Sequence, residues 1–318
     1  MAAVRTRAEG ASALLVRFAW GAVFYNVLVI LWGALVRATG SGAGCGNHWP
    51  LCNGQVIPVS PGVHTVIELT HRMMTGGSTL LVLGLLVWTL RATVRGHAAR
   101  AFAIASTVLL LNEALLGALL VKLGYVTDNQ SVGRMVVLSV HLSNTLLLVA
   151  ALTVTARLLG TGQMWAELRR GREVRVAVCG LVATILVGVS GSMAALGDTL
   201  FPAPSLSAAL AQDVAAGSPW LVRLRLVHPL SAAVAAGFVG WLVLRSRAAG
   251  TGMSGVAKAV VPLLGLQFLL GIADVLLLAP AWMQILHLLG ADLFWVALVV
   301  LAADTVWPVR GMEAEERA

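Results

Sequence analysis

The chain has 318 residues, of which 58% are hydrophobic and 11% charged, with a formal net charge of +8. A soluble chain carries about 25% charged residues, so these proportions cannot clothe a water-exposed surface of this size and exclude a soluble enzyme. The basic excess does not point to nucleic acid either, because the lysines and arginines sit in short segments between apolar runs, where membrane topology accounts for them.

In chain order the apolar runs predict eight membrane-spanning helices, at about 17–37, 66–90, 101–122, 135–157, 175–196, 222–244, 257–279 and 283–306. Each is long enough to cross a hydrocarbon core of about 30 Å, and as a helix each satisfies its own backbone polar groups, as lipid demands. The first run follows Arg5, Arg7 and Arg17 but continues into Leu35-Val36-Arg37 without a small-residue cleavage site; it reads as a retained helix and not a signal peptide.

The N-terminus, 91–100, 157–175, 245–258 and the C-terminal tail together hold 16 of the 22 lysines and arginines. Cytoplasmic segments carry that excess, so a cell-membrane protein with both termini cytoplasmic is expected, with loops 38–65, 123–134 and 197–221 outside. The acidic tail residues Glu313, Glu315 and Glu316 read as a solvated terminus.

The rhythm repeats. Four spans, a basic linker with Arg169, Arg170 and Arg172, and four more spans follow one another. Asn112-Glu113-Ala114-Leu115-Leu116-Gly117 in the third span has Leu266-Gln267-Phe268-Leu269-Leu270-Gly271 in the matching place of the seventh. The expected fold is an all-α polytopic membrane protein of two pseudo-symmetric four-helix bundles, over 17–158 and 173–307, related by an axis along the membrane normal.

Of seven histidines, His71, His141, His228 and His287 fall one in each even-numbered span. Each comes about 4–7 residues after its span begins, roughly 6–10 Å below the outer face at 1.5 Å per residue. A lone imidazole there reads as an interhelical hydrogen bond. Four at one depth, two per repeat, read as paired axial ligands of haem iron. A zinc or copper site would group further Cys, His or carboxylate ligands at one point.

One turn above the ligands the repeat breaks. Glu68-Leu69-Thr70-His71 stands in the first half and Arg225-Leu226-Val227-His228 in the second; residues three apart share a helix face. Arg225 is a candidate contact for anionic propionates, or snorkels to the interface. Glu68 is a candidate for proton transfer or for polarising a bound oxygen species, or pairs with Arg72.

In the first outer loop, Cys45-Gly46-Asn47-His48-Trp49-Pro50-Leu51-Cys52 allows a disulfide in an oxidising compartment, as a structural staple or as a redox-active pair. Cys179 reads as a packed small hydrophobe, His48 and His64 as solvated loop residues, and His97 as part of a basic cytoplasmic loop. Glu113 and Asp274 read either as helix-to-helix hydrogen bonds or as parts of a proton path.

Together these residues resemble the haem A synthase family, membrane enzymes that convert haem O to haem A for cytochrome oxidases. The resemblance runs over about 17–307. It rests on Arg37-Ala38-Thr39-Gly40-Ser41-Gly42 leading into Cys45, on Trp49-Pro50-Leu51-Cys52, on Glu68-x-x-His71-Arg72 and on His141, His228 and His287. It implies oxidation of the C8 methyl of haem O to a formyl, with His71 and His141 as axial ligands of the haem O substrate and Glu68 as the catalytic carboxylate. It implies His228 and His287 as ligands of a resident haem b, a Cys45–Cys52 disulfide linked to haem handling, and haem sites toward the outer face.

Haem O synthase is the implied membrane partner; the electron donor carries no signature in the sequence. A second cysteine pair found in some members between spans 5 and 6 is missing from 197–221, which carries Pro202, Pro204 and Pro219 instead and reads as a cover for the second haem. Two other classes remain open. A bis-histidine di-haem membrane cytochrome relaying electrons from quinol would use the same histidines without needing Glu68. A transporter rocking about a midplane site would want its histidines deeper and matching helix interruptions.

Overall fold

The computed structural model describes residues 11–248 and 255–307. Arg5, Arg7, Arg310, Arg317 and the acidic tail residues Glu313, Glu315 and Glu316 lie outside the described residues. Among the described residues, eight helices are long and apolar enough to cross a membrane: α1 (Ala13–Ala38), α2 (Val63–Ala92), α3 (Ala99–Lys122), α4 (Val132–Thr161), α5 (Arg172–Leu200), α6 (Trp220–Arg247), α7 (Gly255–Leu276) and α8 (Ala281–Val306). Among the described residues there is no strand; two isolated bridge pairs, Cys52 with Gln55 and His97 with Met164, tie loops.

Most helices run a turn or less past the apolar runs, because caps recruit polar flanks. Ser12 Oγ accepts the Leu15 N–H at the start of α1, and Ser131 Oγ accepts the Arg134 N–H at the start of α4, satisfying donors that a helix start leaves unpaired. The exception is α7, which ends at Leu276, three residues short of the expected 279. Leu278 and Ala279 there take positive φ and turn the chain into Pro280. A second irregularity lies in α6, where a 3₁₀ turn, Leu224–Leu226, precedes Val227–Ala248. Pro229 lacks the N–H that would bond the Arg225 carbonyl and its ring crowds that turn, so the helix tightens just before His228.

Helices α1 to α4 close into a ring, with α1 against α2 and α4, α2 against α3, and α3 against α4. Helices α5 to α8 pack more openly: α5 lies against α6 and α8, α7 against α8, and α6 and α7 barely meet. The seam between the two sets is built from α1, α4, α5 and α8, and α8 is the most buried of the eight helices.

Polar groups lock that seam. Arg37 donates to the Ala195 carbonyl and Thr199 Oγ1 of α5, each at 2.9 Å, and to Gln284 Oε1 of α8 at 2.8 Å. Trp295 Nε1 donates to the Leu146 carbonyl at 2.9 Å. Arg157 and Asp304 pair at 2.6 Å across α4 and α8. In an apolar surrounding, such groups are tolerable only when paired, so each fixes the register of one helix set on the other.

At the end of the molecule opposite Cys45 and Cys52, the 93–98 and 162–167 connections pair. The Ala98 N–H donates to the Gln163 carbonyl and the Trp165 N–H to the Gly96 carbonyl, both at 3.1 Å. Phe102, Trp165 and Trp307 cluster there with ring centroids 5.7–5.9 Å apart. His97 is buried in this joint, which corrects its reading as a loop residue with only a topological part. Its Nδ1 accepts the Ala99 N–H at the start of α3. Cys179 also departs from expectation: it is exposed on the outside of α5 and not packed in the core.

Candidate functional site

The four intramembrane histidines lie eight, nine, eight and six residues after the first residues of their helices, Val63, Val132, Trp220 and Ala281. They therefore share a level near the end that carries Cys45 and Cys52. In the second half His228 and His287 face each other, with ring centroids 6.4 Å apart and planes at 82°. In the first half His71 lies within electrostatic reach of His141, Glu113 and Arg72.

Each imidazole rests on a glycine of the preceding helix. An added Cβ would lie 3.1 Å from the His71 ring at Gly33, 3.9 Å from the His141 ring at Gly117, 2.8 Å from the His228 ring at Gly191 and 3.4 Å from the His287 ring at Gly271. The missing side chain is what lets each ring sit against its neighbouring helix.

The Nδ1 environments differ. His228 Nδ1 lies 3.2 Å from Ser190 Oγ, which is within 2.9 Å of the Val187 carbonyl and 2.8 Å of Ser231 Oγ. With Nδ1–H donating to Ser190 and Ser190 donating onward to Val187, Nε2 of His228 is left as an acceptor. His141 Nδ1 lies 3.1 Å from Glu113 Oε1, off the hydrogen-bond axis. His71 Nδ1 and His287 Nδ1 are buried without a partner.

Two histidines can hold a haem when their Nε2 atoms are free and opposed. Among the described residues, none of the four Nε2 atoms makes a hydrogen bond. Metal–imidazole bonds of about 2 Å on opposite faces of one iron put ring centroids about 6 Å apart, close to the 6.4 Å between His228 and His287. Among the described residues no three His, Cys, Asp or Glu side chains converge on one point as a simple ion site requires. The His228–His287 spacing fits one axial pair, and His71 and His141 are the corresponding two rings of the first half.

At the outer end of the first half, Cys45 and Cys52 are joined in a disulfide. Glu68 is buried, pairs with Arg72 through Oε1 and accepts the Cys45 N–H on Oε2 at 2.8 Å. Arg72 in turn donates to the carbonyls of His48, at 2.7 Å, and Leu51, at 2.6 Å. The Glu68–Arg72 pair thus fastens the disulfide loop over the His71 end of the bundle. A carboxylate has about four lone-pair positions, so acceptor capacity remains on Glu68.

Arg225 holds the corresponding place in the second half and is also engaged. It lies 2.8 Å from Asp198 and 3.6 Å from Asp213 and donates to the carbonyls of Gly197 and Phe201. Asp213 sits on a short outer helix, Leu206–Val214, where burial pushes its carboxyl up and Arg225 pulls it back down. The 197–221 loop, expected only as a cover, is therefore pinned to α6 through one guanidinium.

His48 and His64 are exposed, and His64 Nδ1 lies 2.9 Å from Ser41 Oγ. Asp274 keeps a buried oxygen, Oδ1, without a hydrogen bond. The sequence leaves the part of Glu113 open; in the structure it belongs to the His141 network.

Residues 16–299 match the model of a family described as cytochrome oxidase assembly protein, COX15-CtaA. A Thermus thermophilus protein named protoheme IX farnesyltransferase is 46% identical over 293 residues, 91% of this chain and 48% of that protein. A heme A synthase of Exiguobacterium sibiricum is 34% identical over 166 residues, 52% of this chain and 51% of that protein. A heme A synthase of Alkalihalophilus pseudofirmus is 41% identical over 92 residues, 29% of this chain and 31% of that protein. The chain spans about half the length of the curated relatives it matches at greatest extent.

Proposed function

The chain belongs to the cytochrome oxidase assembly protein family, and from that premise we propose that it is a haem A synthase, a membrane oxidoreductase that turns the C8 methyl of haem O into a formyl. The observation that carries this reading is the pairing of four level histidines, two per helix set, each seated on a glycine. Residues 17–158 are the substrate half and residues 173–307 the haem b half. Both termini are cytoplasmic and both sites lie toward the outer face.

In the substrate half, His71 and His141, whose own rings sit against Gly33 of α1 and Gly117 of α3, would hold haem O; holding a reactant in place contributes much of a catalytic rate. Glu68 is the catalytic carboxylate, oriented by Arg72 and the Cys45 N–H, with acceptor capacity left for proton transfer in the site. In the second half His228 and His287 hold haem b, which supplies an electron-transfer centre. Arg225, with Asp198 and Asp213 around it, closes the outer end of that site and offers its guanidinium to a propionate.

The farnesyl transfer in the Thermus relative's name belongs to a protein that this chain covers over 48% of its length, and it is not carried over to this chain. The 46% match within a protein of about twice the length supports a farnesyl-transferring haem O synthase as the membrane partner.

A bis-histidine cytochrome relaying electrons is the second reading. It is favoured by one observation, that both Glu68 oxygens already have protein partners. The test is to extract haems from membranes of cells making a haem O synthase with and without this protein and to resolve them by chromatography with mass detection. Haem A only where this protein is made supports the synthase. Haem b and haem O alone, from haem-loaded protein supplied with reductant and oxygen, overturn it in favour of the relay.

A further inference from the structure

The two halves differ most sharply at the nitrogen of the axial histidines that faces away from the ligand position. Glu113 of α3 lies across from His141, with Oε1 3.1 Å from Nδ1. Its other oxygen is tied into a directional network. Asn112 Nδ2 donates to Asn144 Oδ1 at 2.8 Å, which orients the Asn144 amide so that its Nδ2 donates to the Leu109 carbonyl, at 2.9 Å, and to Glu113 Oε2. The Thr145 hydroxyl reaches both Glu113 Oε1 and the His141 carbonyl. Asn144 and Thr145 stand three and four residues after His141, on the same helix face.

This network leaves Glu113 Oε2 only as an acceptor. If Nε2 of His141 binds iron, Nδ1 must carry the proton of the neutral ring, and the nearest acceptor for it is Glu113 Oε1. A small rotation of the imidazole brings that N–H onto the carboxylate.

The matching place in the second half holds Gln267, four residues before Gly271 as Glu113 is four before Gly117. Gln267 Nε2 and His287 Nδ1 are both buried without a partner. One repeat therefore gives the ligand on its fourth helix a carboxylate, and the other gives it none.

We propose that Glu113 is a positioning residue that takes the Nδ1–H of His141 and makes it the more strongly donating axial ligand, lowering the reduction potential of iron held between His71 and His141. The proposal rests on the reading of that pair as the haem O site. A carboxylate on the distal nitrogen of a ligating histidine fixes its tautomer and raises its basicity, and greater donation stabilises the ferric state. The electron-rich iron then lies in the substrate half and not in the haem b half.

The test uses the full chain in detergent, loaded with haem O by a co-expressed haem O synthase. Reductive titration followed by absorbance and by low-temperature electron paramagnetic resonance separates two haem components, and His71→Ala identifies the first-half one by removing it. A wild type from which His71→Ala removes nothing overturns the site reading itself. With that component identified, Glu113→Gln is expected to raise its midpoint potential, shift its resonance signature and weaken haem O retention by about 10- to 100-fold, leaving the second-half component where it was. An unshifted first-half component at full loading overturns the proposal, as does an equal shift of both. If Glu113→Gln does not accumulate, Glu113→Asp keeps the charge but shortens the reach, and the same component must move in the same direction; no movement there is equally fatal.

Discussion

The two helix sets carry the same two-histidine plan but surround it differently. In the first, a closed ring of helices is capped by a disulfide loop, and a carboxylate stands near each histidine: Glu68, paired with Arg72, near His71 and Glu113 beside His141. In the second, α6 and α7 barely meet, serines attend His228, and the charged group at the outer end is a guanidinium between two carboxylates. A shared scaffold with divergent polar surroundings is how one fold supports a reactive site and a holding site together, since chemistry resides in the side chains around a cofactor and not in the fold. On the proposed function, the first half would do the chemistry and the second would retain a cofactor.

The largest expected effects come from removing that division outright. His228→Ala leaves one axial ligand in the second half, so haem b is lost from purified protein and haem A formation stops. Spectra and extracted haem content check both. Haem A formed at the normal rate without haem b would sink the idea that the second half feeds electrons to the first.

Next in size is the pair one turn above the ligands. Glu68→Gln is expected to lower haem A formation by about 100-fold, within the range for a lost acid–base group, while haem is still bound in both halves. Arg225→Gln instead is expected to leave the chemical step intact and to free haem b faster, by about 10-fold, because it also unties Asp198, Asp213 and the outer helix. If Arg225→Gln stops the reaction with both haems retained, or Glu68→Gln leaves it unchanged, the contrast between the halves fails.

The eight spans and the level of the histidines were legible because each is a repeating feature of composition: runs of about 20 apolar residues, and one histidine at a fixed distance into every second run. The cysteine pair was legible because six intervening loop residues with Gly and Pro bring Cys45 to Cys52 locally. What was not legible depends on contacts between helices distant in sequence. Glu113 meets His141 and Thr145 only once α3 and α4 pack, and Arg225 meets Asp213 only once 206–214 folds into a helix over α6. His97 offered no periodic signal, since its burial comes from pairing of the 93–98 and 162–167 connections, and Cys179 faces outward on a helix whose apolar residues leave no visible inner face. The two features in α6 and α7, a 3₁₀ turn before Pro229 and an early stop before Pro280, were signalled by their prolines and hidden only by the length of the apolar runs around them.

The glycine seats give a graded comparison across all four ligands. Gly191→Ala would put a methyl 2.8 Å from the His228 ring, closer than a carbon contact allows, whereas Gly117→Ala meets His141 at an ordinary 3.9 Å. Gly191→Ala is therefore expected to destabilise the protein by about 1–3 kcal/mol, as overpacking does, and to disturb the second-half spectrum. Gly117→Ala should leave the protein as stable or up to about 1 kcal/mol more stable, through helix propensity, and leave its spectrum alone, with Gly33→Ala (3.1 Å) and Gly271→Ala (3.4 Å) in between. Thermal unfolding with haem absorbance orders the four. An order unrelated to the distances would mean that the glycines do not set ring position.

The smallest effect lies away from both sites and serves as their control. His97 accepts the Ala99 N–H through Nδ1, so the folded protein needs that ring neutral, and burial first, then the neighbouring Arg100, holds its pKa below the ordinary 6.5. In the unfolded chain the ring takes up a proton as pH falls through about 6.5, so through that window the unfolded state binds more protons than the folded one. Stability from this group is then complete above about pH 6.5 and declines as pH drops below it. His97→Gln, which has no such proton to take, is expected to flatten the acid side of a melting-temperature profile without moving either haem component. A shift in either haem signal would show that the joint at the far end is coupled to the sites, and that the two halves are not separated from the connections that hold their helices together.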